Sequence, residues 1–200
     1  MRVMETSRVM DLYFRAPVRM KHVIGCSFAF AAACAPAVRA TGGDGREALE
    51  AAVYAVVIDS LLASPQVPIV VIADSTFQAF GTDVFGDSTE AIYRDFLAIN
   101  REPRSFPKRL PARTRVRRLN YSTYVQSGER FARFQRFRRE YAPALGFYMI
   151  SRPGFSADRQ QAMLTILNGC VSYCTTVERV RLAWRGDRWR VTARGVMVEM

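Results

Sequence analysis

"TTVERVRLAWRGDRWRVTARGVMVEM" occupies residues 175–200. Two long runs of Val, Thr, Trp and Arg flank Gly186–Asp187. A Gly-Asp pair between β-branched and aromatic runs predicts a two-residue hairpin turn. On the first arm Val177, Val180, Leu182 and Trp184 alternate imperfectly, and residues 188–200 make the return arm that closes a sheet. The same pattern extends backwards. "GFYMISRPGFS" (146–156) predicts a strand, "SADR" a turn, and "QQAMLTILN" (160–168) a return strand. Residues 146–200 therefore predict an antiparallel meander of about four strands.

Upstream the period changes. In "REALEAAVYAVVIDSLLAS" (46–64) Leu49, Val53, Val56 and Val57 recur at helical spacing, as do Tyr54, Ile58 and Leu61. Glu47 and Glu50 suit its N-terminus, and Pro65 and Pro68 stop it. "VPIVVIADST" (67–76) is a β-branched run and predicts a buried strand. A helix is expected over 87–100, capped by Ser88 or Thr89, and another over 127–143, with Phe131, Phe134, Phe137 and Tyr141 in one stripe. Between them, residues 101–120 hold three prolines and many arginines. They predict an extended, partly mobile loop with one short strand at 114–119. The expected class is α+β: N-terminal helices followed by a C-terminal antiparallel β-meander.

The chain has 200 residues, half of them apolar, enough for one domain with a real core. Its N-terminus divides from the rest. "MKHVIGCSFAFAAACAPAVRA" begins at Met20 with a positive flank, then runs apolar and uncharged from Val23 to Ala35. That run is too short to span a bilayer but matches the core of a signal peptide. Small residues in 35–40 offer a cleavage site, and Met20 is the expected true start. Residues 1–40 are thus a lead-in and signal peptide, and 41–200 a single α+β domain. "AAAC" (31–34) also resembles a lipoprotein box, which makes Cys34 a weaker lipidation candidate. The expected localisation is periplasmic or secreted, with a lipid-anchored envelope protein as the variant.

Formal net charge is +11; residues 41–200 keep 23 basic and 16 acidic residues, +7. The single histidine, His22, falls in the leader. A chain cleaved near Ala40 would lack Ser-His-Asp, Cys-His and His-metal chemistry. No cofactor and no metal are expected.

Cys170 and Cys174 in "NGCVSYC" are the last two of four cysteines. On a straight strand they would stand about 13 Å apart. A disulfide needs Cα atoms within about 7 Å, so pairing requires a turn, which Asn168 and Gly169 favour. Two thiols without histidine fall short of a zinc site, and C-x-x-x-C is not the usual redox spacing. A disulfide clasp is expected in an oxidising compartment, with free thiols or a redox or metal role as the alternatives.

Residues 101–139 hold 13 basic residues against Glu102 and Glu129, +11 locally. Arg115, Arg117 and Arg118 are expected in the loop segment, and Arg133, Arg136 and Arg139 on the helix. They are the candidate binding residues. For an exported chain the expected partner is an anionic lipid, lipopolysaccharide or an acidic protein. For a cytosolic chain it would be nucleic acid. The plain alternative is a core Phe stripe with a solvated arginine face.

Asp74, Ser75 and Thr76 end the predicted buried strand, where open sheets often place sites. Asp74 and Ser75 are therefore weak catalytic candidates, with Asp59, Asp83 and Asp87 as nearby acids for a His-free, carboxylate-based hydrolase. Ser75 would have only Lys108 as a base. The same residues are ordinary caps and turns. "RGD" (185–187) spells an adhesion tripeptide, which chance explains in an arginine-rich chain.

"YAPALGFYMISRPGFSADRQQAMLTI" (141–166), the cysteine pair and "RGDRWRV" together resemble an uncharacterised bacterial exported protein family. Its pattern is a "SRxGF" strand, a Cys pair and a C-terminal Trp hairpin. "YAVVIDSLL", "VIADST" and "DFLAIN" look similar too, so the resemblance covers most of 50–195. It implies an exported α+β protein and transfers no functional residue. Pro153 departs from the pattern and predicts an edge or bulge.

Overall fold

Strand β1 (Ile69–Ala73) is buried along its whole length. Its side chains alternate between two cores. Val70 and Ile72 join one, while Ile69, Val71 and Ala73 join the other. A strand covered on both faces needs an unbroken apolar run, and "IVVIA" supplies it.

The computed structural model describes residues 43–78, 90–170 and 175–199, all in one compact unit. The elements are α1 (Gly43–Val57), β1, α2 (Ala91–Ile99), β2 (Arg115–Leu119), α3 (Tyr121–Gln126), α4 (Arg130–Tyr141), β3 (Gly146–Ile150), β4 (Gly154–Phe155), β5 (Gln161–Cys170), β6 (Thr175–Arg185) and β7 (Arg188–Glu199). α1 runs on into a π-helical turn, Ile58–Leu62, closed by Ala63 N–H donating to the Ile58 carbonyl.

The strands form one seven-stranded sheet in the order β2-β1-β3-β5-β6-β7, with β4 paired to β5. The class is α+β. β3, β5, β6 and β7 make the antiparallel meander. β1 is parallel to both β2 and β3, so the N-terminal half extends the same sheet.

Helix α1 covers one face. Val53, Tyr54, Val57 and Ile58 pack on Ile150, Ala162, Leu164, Val180 and Leu182. The other face carries two groups. Phe137 and Tyr141 of α4 pack with Phe147 and Met149 of β3, and Ile92, Tyr93 and Phe96 of α2 pack on Met163 of β5.

Four details depart from the sequence patterns. The strand expected over 146–156 is broken at residues 151–153, where Pro153 has no N–H for a ladder. Residues 121–126, passed over in sequence, form α3, capped by the Asn120 side chain accepting from Thr123 N–H. Trp184 lies at the surface and its cross-strand partner Trp189 is buried. The Phe stripe of α4 is core only from Phe134 onward; Phe131 is 71% exposed.

The hairpin turn at Gly186–Asp187 forms as expected, with Gly186 at φ +68°. Gly169 pairs with Thr175 in the antiparallel β5–β6 ladder. Cys174 and the Cys170 side chain lie outside the described residues, as do the leader with Cys34, the Ser88 and Thr89 caps, and Asp83 and Asp87. No described helix is long and apolar enough to cross a membrane.

Candidate functional site

Two charged constellations stand out, one closed and one open. The closed one is built around the "SRPGF" segment, 151–155. Glu50 of α1 is 5% exposed and accepts from Arg46 (3.0 Å) and Arg152 (2.7 Å). Arg46 also forks onto both Asp95 oxygens, at 3.2 and 2.9 Å. Asp95 in turn accepts from Phe155 N–H at 2.7 Å. The Asn100 side chain accepts from Arg152 N–H and donates to the Arg152 carbonyl. Ser151 Oγ accepts from Thr165 N–H, and Tyr54 Oη donates to the Ser151 carbonyl. Burial pushes the Tyr54 hydroxyl pKa up, and the Glu50 charge adds to that. On Arg46, burial lowers the pKa, but the bonds to Asp95 and Glu50 outweigh it and leave it raised. Two arginines meet two carboxylates; Glu50 and Arg152 are largely buried, while Arg46 and Asp95 each keep 30% of their side-chain surface exposed. This partly buried network fastens a broken strand to α1 and α2.

The Asp74 neighbourhood is also occupied by the fold. Asp74 Oδ1 accepts from Tyr121 N–H at 3.2 Å. The Asp74 carbonyl accepts from Phe106 N–H, and Thr76 Oγ1 accepts from Arg104 N–H. Ser75 bridges to Ser105. The three residues thus tie the 101–114 loop and the start of α3 to the end of β1. Asp59 is engaged elsewhere: both its oxygens accept from Arg113 N–H, and one from Thr114 N–H. Burial alone would raise its pKa, but these bonds hold it below the ordinary carboxylate value. Lys108 is exposed on the same loop. Among the described residues, no group of three His, Cys, Asp or Glu side chains is placed to hold a metal ion.

The open constellation is basic, and it sorts the six candidate arginines by role. Arg118 turns to the α1 face of the sheet. Its guanidinium lies 4.6 Å from the Phe106 ring and donates to the Pro107 carbonyl. Burial pushes its pKa down, partly offset by the Asp74 charge. It is a strut for the loop and leaves the proposed binding set. Arg117 faces α4, donating to the Glu140 carbonyl at 2.5 Å and lying 4.6 Å from the Tyr141 ring. Arg133 donates to the Val125 carbonyl at 2.9 Å and joins α4 to α3. Arg115, Arg136 and Arg139 are exposed.

A shallow cleft of about 80 Å³ between α3 and α4 is lined by Asn120, Thr123, Arg136 and Glu140 among others. A second groove, of about 240 Å³, runs along β6–β7 past Arg179, Arg181 and Gly195. Both are below the ~300 Å³ at which small-molecule pockets usually begin. The Arg185–Asp187 tripeptide sits at the hairpin tip, with Asp187 N–H donating to the Arg185 carbonyl.

No protein-family model, curated protein or solved structure matches this chain.

Proposed function

We propose that this chain is a non-enzymatic, exported envelope protein that binds an anionic surface or partner through the basic face of β2, α3 and α4. One observation carries the proposal. Among the described side chains, the five ion pairs use Arg46, Arg152, Arg181 and Arg194. None uses an arginine of 101–139. Residues 101–139 carry 13 basic residues against Glu102 and Glu129, so the positive charge of this segment far exceeds its own acids, and Glu140 at the end of α4 forms none of these ion pairs. Exposed guanidiniums outside these ion pairs leave a net positive field available to an external anion. The apolar run at 23–35 supports export.

The test is retention on an immobilised polyanion such as heparin, read as the salt needed for elution. Arg136→Glu with Arg139→Glu should lower that salt markedly, because exposed charges act over a Debye length of about 10 Å at 0.1 M. Arg118→Gln should not change elution beyond the loss of one charge. Equal elution of the wild type and the double variant would sink the proposal.

A further inference from the structure

The α3–α4 corner carries something that the charge alone does not explain. Phe131, in the first turn of α4, is 71% exposed, and Val125, in the last turn of α3, is 43% exposed. Residues 127–129 connect the two helices, with Gly128 at φ +103°. The rest of the α4 aromatic set is used inside: Phe137 stacks on Tyr141 with ring centroids 5.0 Å apart. Phe131 is left out because it is a quarter-turn off that stripe at about 100° per residue. The outward half of α4 shows Phe131, Ala132, Arg136, Arg138 and Arg139 together. Glu129 and Glu140 are the only acids of that segment, one at each end.

Resting on the basic-face function above, we infer that its anionic partner is a lipid bilayer surface, and that Phe131 and Val125 are the side chains that enter it. An exposed aromatic and an aliphatic side chain on either side of one helix–helix turn, with arginines outside the ion pairs on the same helix, match the interfacial zone of an anionic membrane. Phosphates and headgroups there meet guanidiniums, and the acyl boundary accepts the ring. The Arg138 guanidinium lies 5.5 Å from the Phe134 ring, a cation–π contact that keeps this exposed charge on the same face. A polyanion in water offers the charge but no apolar layer. An acidic polypeptide gives Phe131 nothing to enter, which makes the bilayer the better fit; single-stranded nucleic acid offers a base to stack on the ring, and the experiment separates it from lipid.

The experiment is co-sedimentation of the full chain with neutral phosphatidylcholine vesicles and with vesicles containing one-third phosphatidylglycerol. Because every variant carries residues 1–40, their contribution is common to all. The wild type should prefer the anionic vesicles. Phe131→Ala should weaken that binding about tenfold or more, as expected for one aromatic ring kept in water. Arg136→Glu with Arg139→Glu should weaken it further in low salt, since each basic residue near an anionic surface contributes about fivefold. Phe131→Trp should retain binding, and its added fluorescence should be quenched by brominated lipid. Circular dichroism of Phe131→Ala should match the wild type, because the side chain is mostly exposed and belongs to none of the core clusters.

Unchanged binding of Phe131→Ala, with charge dependence intact, would overturn insertion and leave the basic-face function standing. Preference for single-stranded DNA or an acidic polypeptide over anionic vesicles would overturn the lipid assignment alone. Failure to bind any of these polyanions at low salt would overturn the basic-face function itself.

Discussion

Glu50 shows how much one side chain decides. It is nearly fully buried and accepts from two guanidiniums that reach it from α1 and from the "SRPGF" segment. Removing it leaves Arg152 without its carboxylate. Glu50→Ala should therefore cost about 3 kcal/mol, read as a lowered midpoint in urea. Gly154 is as exacting for a different reason. A Cβ there would stand 2.5 Å from Phe96 Cβ and 2.6 Å from Phe96 backbone atoms. Gly154→Ala should cost about 2 kcal/mol through forced separation of β4 from α2, measured by thermal melting. By contrast Gly195, with nothing within 4 Å of an added Cβ, should tolerate Ala with little change. The sequence marked Arg152 and Gly154 as parts of a motif but not why they matter. Their partners, Glu50 and Phe96, come from distant helices.

At the scale of elements, the loop 101–114 is held by side chains that sequence inspection put forward for catalysis. Asp59 serves it from the π-turn that ends α1. The folded-state pKa of Asp59 is depressed, so its contribution to stability is present above the unfolded value of about 3.9. That contribution fades as pH falls towards the depressed folded value. Asp59→Asn should flatten the acid side of the stability profile and leave the loop less protected in hydrogen exchange. A profile identical to the wild type would remove Asp59 from this role. Asp74→Asn should similarly loosen the start of α3, through Tyr121 N–H, and act on stability. The π-turn itself follows no evident sequence signal, since Ile58 to Leu62 continue the apolar helical spacing.

For the whole molecule, the two charged constellations divide the labour. One is self-satisfied and fixes the fold; the other faces out and leaves charge for a partner. Salt should therefore change binding strongly and folding weakly. A shift from 50 to 500 mM salt should abolish polyanion retention while moving the melting temperature by only a few degrees, because partly buried pairs are screened less than exposed charges. Export and the clasp are checked together by intact mass from the envelope fraction of a bacterial host, with and without thiol alkylation. Loss of residues 1–40 with no free thiol is the expected result. A full-length species with four alkylated cysteines would turn the search for a partner to nucleic acid.

The sequence by itself determined most of the local elements, α3 and the π-turn apart. The period-2 arms around Gly186–Asp187, the helical spacing of 46–62 and the β-branched run at 69–73 each carry their structure in neighbouring residues. It also determined that the 101–139 segment is strongly basic, because charge is a sum over composition. Only the tertiary structure decided which strand lies beside which, so that β1 sits between β2 and β3. Only it decided that Arg118 turns inward while Arg115, Arg136 and Arg139 face out, and that Phe131 misses the core its neighbours fill. Those outcomes depend on contacts between residues far apart in the chain. Burial is a property of the packed sheet and helices, and no window of sequence contains it.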